Sequence, residues 1–379
     1  MNKLTWVVVA IIVIAGGWWL LSNSQQGPTE TGPIKIGVIG PYTGDAAAYG
    51  EPMRNTVQLA VDEINAAGGV RGRLIEIIFE DGKCDSTAAV SAAQKLINAD
   101  GVKAVIGGFC SGETIPVVPI AESAKMVLLS PSASSPLLTN AGPHFFRDYP
   151  SDSAQGKVLA EIAYNTKQWK KVAFIQEQTD YAKGVFDAFE AAFKPLGGTT
   201  VNQAFPSTTN DFRSLLTKLK AENPDALFVD TQAPAAAQRI LKQAGELGWK
   251  PNIILNDVGG GDKETVSTYA SQLEGAITAE FVPNENNPKL QKLVADYKAR
   301  YNEDLPYHGY MSTTYDAVYL LAEGIKVVGY DGEKLAAWSR TIRNWDGASG
   351  SITIGSDGDR VSGHTAEEIK GGKTQLLAR

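Results

Sequence analysis

From Ile34 onward the chain repeats one unit: a short apolar run, a loop of small residues, then an amphipathic helix. Apolar runs of strand length separated by helices imply a parallel sheet with right-handed crossovers. The first series predicts strands at Ile34–Ile39, Leu74–Phe79, Lys103–Ile106 and Met126–Leu129, with helices at Glu51–Ala67 and Ser86–Asn98. Met53, Val57, Val61 and Ile64 form the inner stripe of the first helix and Gly68-Gly69 stops it; Asp85 or Ser86 caps the second. A second series begins after Pro150, with strands at Lys171–Ile175, Thr200–Phe205, Ala226–Asp230 and Ile253–Leu255. Helices at Tyr181–Phe193, Asp211–Asn223 and Pro234–Gly245 alternate with them. The fold class is therefore α/β, with two similar lobes, and 379 residues at 43% hydrophobic suffice for two cores.

Charge narrows the partners. The formal net charge is −7, and because the first 33 residues carry only Lys3 and Glu30, the globular part keeps all of it. Nucleic acid is excluded as a partner on that balance. Residues 4–21 form an apolar stretch broken only by Thr5 and two glycines, followed by a polar run to Pro33. It reads as an export element, either a cleaved signal or a retained membrane anchor. Ser22 and Ser24 offer a small-x-small pattern, Trp18 and Trp19 suit a membrane interface, and no cysteine follows to accept a lipid.

Open parallel sheets bind ligands at the carboxyl ends of their strands. Four segments rich in glycine, serine and other small residues fall there: Gly40–Gly50, Gly107–Glu113, Ser130–Pro136 and Asn256–Gly261. Backbone N–H groups and hydroxyls without bulky neighbours suit an anion, and a carboxylate is the natural guest. Cys84 and Cys110 each follow a first-lobe strand, so they are either a disulfide pair, which export permits, or two separate buried thiols. Gly108-Phe-Cys110-Ser-Gly112 also spells the elbow of a cysteine-nucleophile α/β-hydrolase. That reading needs a histidine base, and nothing marks His144, His308 or His364 as one. The same three scattered histidines give no metal spacing, and no phosphate loop or dinucleotide fingerprint is present, so no cofactor is expected.

The chain resembles the branched-chain amino-acid-binding proteins (leucine, isoleucine, valine) of ABC transporters, which have the type I periplasmic-binding-protein fold. The likeness runs over residues 34–365. It is carried by IKIGVIGPYTGDAAAYG, VDEINAAGGVRG, the pair DGKCDS and GGFCSG, VLLSPSASSP, DYAKG and TTYDAVYLLAEG. The resemblance implies two Rossmann-like lobes joined by a three-strand hinge, a ligand clamped between them, no enzymatic activity and a disulfide between Cys84 and Cys110. Lobe 1 would comprise residues 34–151 and 279–347, lobe 2 residues 152–278 and 348–365, and residues 366–379 a disordered tail. Ser111 and Ser134 would bind the ligand α-carboxylate, the Ser132 carbonyl would accept from its ammonium, and Tyr49, Phe109, Tyr181 and Tyr310 would contact or cover it.

The sequence departs from the leucine-binding pattern in the second lobe. Val258, not an acid, precedes Gly259, leaving Asp257 or Asp230 to pair with the ammonium, and Gln232 replaces an aromatic residue of the cleft. A zwitterion still fits, since a buried ammonium needs a charged or carbonyl partner. The expected mechanism is ligand-driven closure of a monomer, followed by docking to ABC permease and ATPase subunits. An extracellular sensing domain shares the fold; a receptor would be expected to carry a further span and an output domain after its second lobe.

Overall fold

The computed structural model describes residues 32–377. Its first sheet contains β1 (Ile34–Gly40), β2 (Ile75–Asp81), β3 (Ala104–Ile106), β4 (Val127–Ser130) and β5 (Phe145–Arg147). All pair in parallel, in the order β2-β1-β3-β4-β5. Alternation decides the two faces. Ile36 and Val38 point to one core with Met53, Val57 and Val61, whereas Ile39 points to another with Leu96, Val105 and Val117. The inner stripe expected for helix Gly50–Ala66 is buried there as predicted from its spacing.

The second sheet is built from β6 (Lys171–Glu177), β7 (Thr199–Phe205), β8 (Ala226–Asp230), β9 (Asn252–Leu255) and β10 (Ile277–Glu280), again parallel. Phe174, Phe189 and Phe228 are fully buried on one face, with Phe174 and Phe228 stacked at 4.4 Å. Truncating one of these rings would cost roughly 3–5 kcal/mol. A small hairpin, β11 (Trp345–Gly347) with β12 (Gly350–Ile352), follows the later helices of the first lobe.

Residues 366–376 are not a disordered tail. They continue β13 (Thr365–Lys370) into β14 (Lys373–Leu376), an antiparallel hairpin that extends the second sheet beyond β10. Ala366 and Ile369 are buried in the second-lobe cores, which repays ordering the strand. The hairpin turns through Gly371 and Gly372, both at positive φ (56° and 73°), the conformation that a two-residue turn demands and glycine supplies.

Three segments join the lobes: one after β5, one after β10 and one between Ile354 and Thr365. The last lies later than expected. Ala348, Ile352 and Ile354 pack in the first-lobe core, so residues 348–354 belong with lobe 1, not lobe 2. Arg360, nearly fully buried, fastens all three. It donates to the carbonyls of Asp148, Ser349 and Ser351 and to Ser349 Oγ at 2.8–3.1 Å, and its guanidinium lies 4.6 Å over the Phe281 ring. Among the described residues no helix is long and apolar enough to cross a membrane. The export element expected at residues 4–21 lies outside them.

Candidate functional site

The two sheets turn their carboxyl ends toward a narrow chamber enclosing about 280 Å³ of space between atoms. From the first lobe it is lined by Tyr49, Phe109, Cys110, Ser111, Ser132, Ser134 and Tyr310; from the second, by Tyr181, Gln232 and Val258. Eight of the nine residues singled out in the sequence therefore meet in one place. Tyr49 stacks on Phe109 at 5.2 Å and meets Tyr310 edge-on at 5.8 Å, forming an aromatic wall.

The serine loops are held rigidly. Ser111 opens helix Ser111–Ala124, whose positive N-terminal pole faces the chamber, and its Oγ accepts from the Ser135 N–H at 3.2 Å. Ser132 Oγ donates to the Phe109 carbonyl at 2.6 Å and Ser130 Oγ to that of Gly108 at 2.8 Å, tying the loop after β4 to the loop after β3. Beneath them the fully buried Arg147 donates to the carbonyls of Ala133 and Ser135, to Thr139 Oγ1 and to Asp359 Oδ1, at 2.7–3.1 Å. Sequence reasoning missed Arg147, because a charged residue at the end of an apolar strand reads as solvated.

Cys84 and Cys110 form a disulfide, with Cα atoms 5.3 Å apart. This removes the hydrolase reading, whose nucleophile would be the Cys110 thiol. Buried Glu113 accepts from the N–H groups of both cysteines, at 2.9 and 3.0 Å. Burial pushes its carboxyl up to about 7, against the opposing pull of those N–H groups. Gly82 and Gly108 leave it room, since a Cβ on either would lie 2.3 Å from a Glu113 atom.

Asp257 does not line the chamber; it sits behind the wall. Its carboxylate accepts from three phenols: Tyr149 at 2.9 Å, Tyr310 at 2.7 Å and Tyr181. Burial, reinforced by Asp257, holds all three phenols well above their usual range, so they keep the protons they donate. Each hydroxyl that donates to Asp257 turns its own oxygen lone pairs elsewhere, and Tyr181 and Tyr310 line the chamber. Asp230 also lies outside the lining. It is fully buried, accepts from Asn256 Nδ2 at 3.0 Å, and burial pushes its carboxyl well above the carboxylate range, which disfavours the charge an ammonium would need. Tyr149, on the segment after β5, was invisible in the sequence because no motif surrounds it.

The lobes touch beside the chamber. Gly184, on helix Asp180–Phe193, comes so near the first lobe that a Cβ there would lie 2.8 Å from Pro136 Cδ and 3.0 Å from Ser135 Oγ. The glycine of DYAKG is thus a contact point between lobes.

With this geometry the comparisons are decisive. Residues 33–368 match the periplasmic binding protein family. The chain belongs to that family. A Leu/Ile/Val-binding protein of Rhizobium johnstonii is 30% identical over 334 residues, spanning 87% of this chain and 89% of the relative. A leucine-binding protein of Thermotoga maritima superposes with a TM-score of 0.83 at 30% identity, covering 91% of this chain and 98% of the other. A branched-chain amino-acid transporter substrate-binding protein of Streptococcus pneumoniae, solved with isoleucine, gives 0.80 at 30% identity over 91% and 98%. The family consists of exported binding proteins of transporters, and this protein is accordingly a solute-binding protein and not an enzyme.

Proposed function

We propose that the protein captures a small zwitterionic amino acid, branched-chain or of similar size, and delivers it to the permease and ATPase subunits of an ABC importer. The observation that carries this reading is the opposition of two poles across one chamber. Ser111, Ser134 and the N-terminus of helix Ser111–Ala124 suit a carboxylate, while Tyr181 and Tyr310, backed by Asp257, suit an ammonium. The Ser132 carbonyl adds an acceptor for the ammonium. Asp257 then acts through the phenols: it fixes their protons inward, so that their oxygens receive the ligand's N–H groups, and supplies the compensating charge. Tyr49 and Phe109 leave an apolar niche for a short aliphatic side chain, and Gln232 gives that niche one polar edge. Binding begins on the first lobe and gains second-lobe contacts on closure, a ligand-driven population shift. The names of the relatives point to the same ligand class.

Calorimetric titration with leucine, isoleucine, valine and a small amide tests the reading on the wild type, Ser111→Ala and Asp257→Asn. An amino acid should bind the wild type, and each substitution should weaken it roughly 10- to 150-fold, the worth of a hydrogen bond to a charged group. Equal affinity for the amide, or an unaffected Asp257→Asn variant, would remove the ammonium pole. Export rests on residues 4–21, and N-terminal sequencing of the mature protein separates cleavage from retention as an anchor.

A further inference from the structure

A second cavity, of about 1550 Å³ including its open mouth, lies on the far side of the Asp257–tyrosine wall. Its lining comes from both lobes and from the joining segment after β10: Tyr307 and Tyr310 on one side, Asp257 and Glu367 on the other, with Glu280 and Phe281 between. Of its acids, Asp257 is held by its phenols, whereas Glu280 and Glu367 have no partner but each other. Strands β10 and β13 pair Thr278 with Glu367, which sets Glu280 and Glu367 diagonally on one face of the sheet, where burial holds both carboxyls above their ordinary range. Glu367 is only 6% exposed, and both its Oε2 and Glu280 Oε1 are sealed from solvent without a hydrogen-bond partner. Lys263 and Lys373 also line the cavity as exposed side chains, yet neither comes within ion-pair distance of a carboxylate among the described residues.

We propose that this cavity is a second ligand site, for an organic ammonium ion of the alkylamine class. Two orphaned carboxylate oxygens call for a cation, and the aromatic faces of Tyr307, Tyr310 and Phe281 offer it the second kind of contact that ammonium groups favour. A bare metal ion is the poorer fit. Asp257, Glu280 and Glu367 do not bring their oxygens into one compact ligand set, whereas an alkylamine can span a cavity of this size. Because the lining includes both lobes, an amine bound there favours one lobe arrangement. On the amino-acid reading of the cleft it therefore changes the affinity for the amino acid, and the amino acid changes its affinity by the same factor.

The test is calorimetric titration of the full chain with 1,4-diaminobutane, using 1,4-butanediol as the uncharged analogue of equal length. The wild type and Ser111→Ala should bind the diamine alike, and neither should bind the diol. Glu367→Gln and, independently, Glu280→Gln should each weaken the diamine by roughly tenfold or more, as expected for loss of a charge-assisted hydrogen bond. Thermal midpoints check that both variants are folded, since each substitution replaces a carboxyl by an amide of the same shape. Equal binding of diol and diamine, or full binding in both glutamine variants, overturns the proposal. Loss of the diamine in Ser111→Ala overturns it too, by placing the amine in the cleft. Leucine binding read on the same variants keeps the two sites apart: it should weaken in Ser111→Ala and survive in Glu367→Gln.

Discussion

Gly184→Ala should weaken ligand binding without touching the ligand. The added methyl would sit 2.8 Å from Pro136 Cδ, 3.0 Å from Ser135 Oγ and 3.4 Å from Ser135 Cα, where carbon atoms prefer roughly 3.5–4.0 Å. The proline ring and the loop backbone are braced from below by Arg147, so helix Asp180–Phe193 must back away. Overpacking of this kind costs roughly 1–3 kcal/mol. The cost falls only on the closed arrangement, because separating the lobes removes the contact, and it therefore appears as a 5- to 150-fold rise in Kd, about tenfold per 1.4 kcal/mol. In the open, ligand-free protein the same change should stabilise by about 0.4–1 kcal/mol, since alanine restricts the unfolded chain and suits a helix. The assay pairs urea unfolding without ligand against calorimetric binding, with small-angle scattering at saturating ligand to follow closure. A higher unfolding midpoint with weaker binding supports the account. Unchanged affinity would show that the lobes need not approach at Gly184 to hold the ligand.

Three further outcomes follow from the supports of the serine loops. Arg147→Ala strips two buried carbonyls and Asp359 of their donor and should cost about 3–5 kcal/mol in urea unfolding, abolishing ligand-induced stabilisation as well. Removing both cysteines (Cys84→Ser with Cys110→Ser) opens a link 26 residues apart and should cost about 3 to 4 kcal/mol on the chain-entropy account. An unchanged unfolding midpoint would refute it. Glu113 keeps its proton up to about 7 when folded and loses it near 4.5 when unfolded, so the stability it contributes is complete below 4.5 and is lost as pH rises through 7. Glu113→Gln has no such proton to lose. The wild type should therefore lose stability relative to this variant by something on the order of 3 kcal/mol between about pH 5 and about pH 7.5. A gap that does not vary with pH would contradict the assignment.

Legibility followed the physics of each residue. The strand ends, the inner stripe of helix Gly50–Ala66 and the small-residue loops could be read directly, because period and turn chemistry act locally. Five lining residues, Tyr49, Phe109, Ser111, Ser132 and Ser134, lie in loops placed on those ends, whereas Tyr181, Gln232 and Tyr310 came from the resemblance, which also supplied the roles. Asp257 was found as an acid but not as the centre of a phenol shell, since Tyr149, Tyr181 and Tyr310 reach it from three distant segments. Arg147 and Arg360 were missed because burial of a guanidinium depends on carbonyls contributed from elsewhere. The C-terminal hairpin did leave a signal, the Gly371-Gly372 pair between alternating residues. It was hidden by the strand's low apolar content, since its buried residues are Ala366, Glu367 and Ile369.

The late return of the chain to both lobes governs when the molecule can become itself. The first core lacks Ile352 and Ile354, and the second lacks Ala366 and Ile369, until synthesis has passed more than 300 residues beyond β1. Up to that point β10 presents an unpaired edge, the side that β13 later occupies. Pairing of such sequence-distant strands is slow to form. A growing chain of this topology is thus kept unfinished until Thr365–Lys370 is made, and a truncation before Thr365 should yield an adhesive, aggregating fragment instead of a weaker binder.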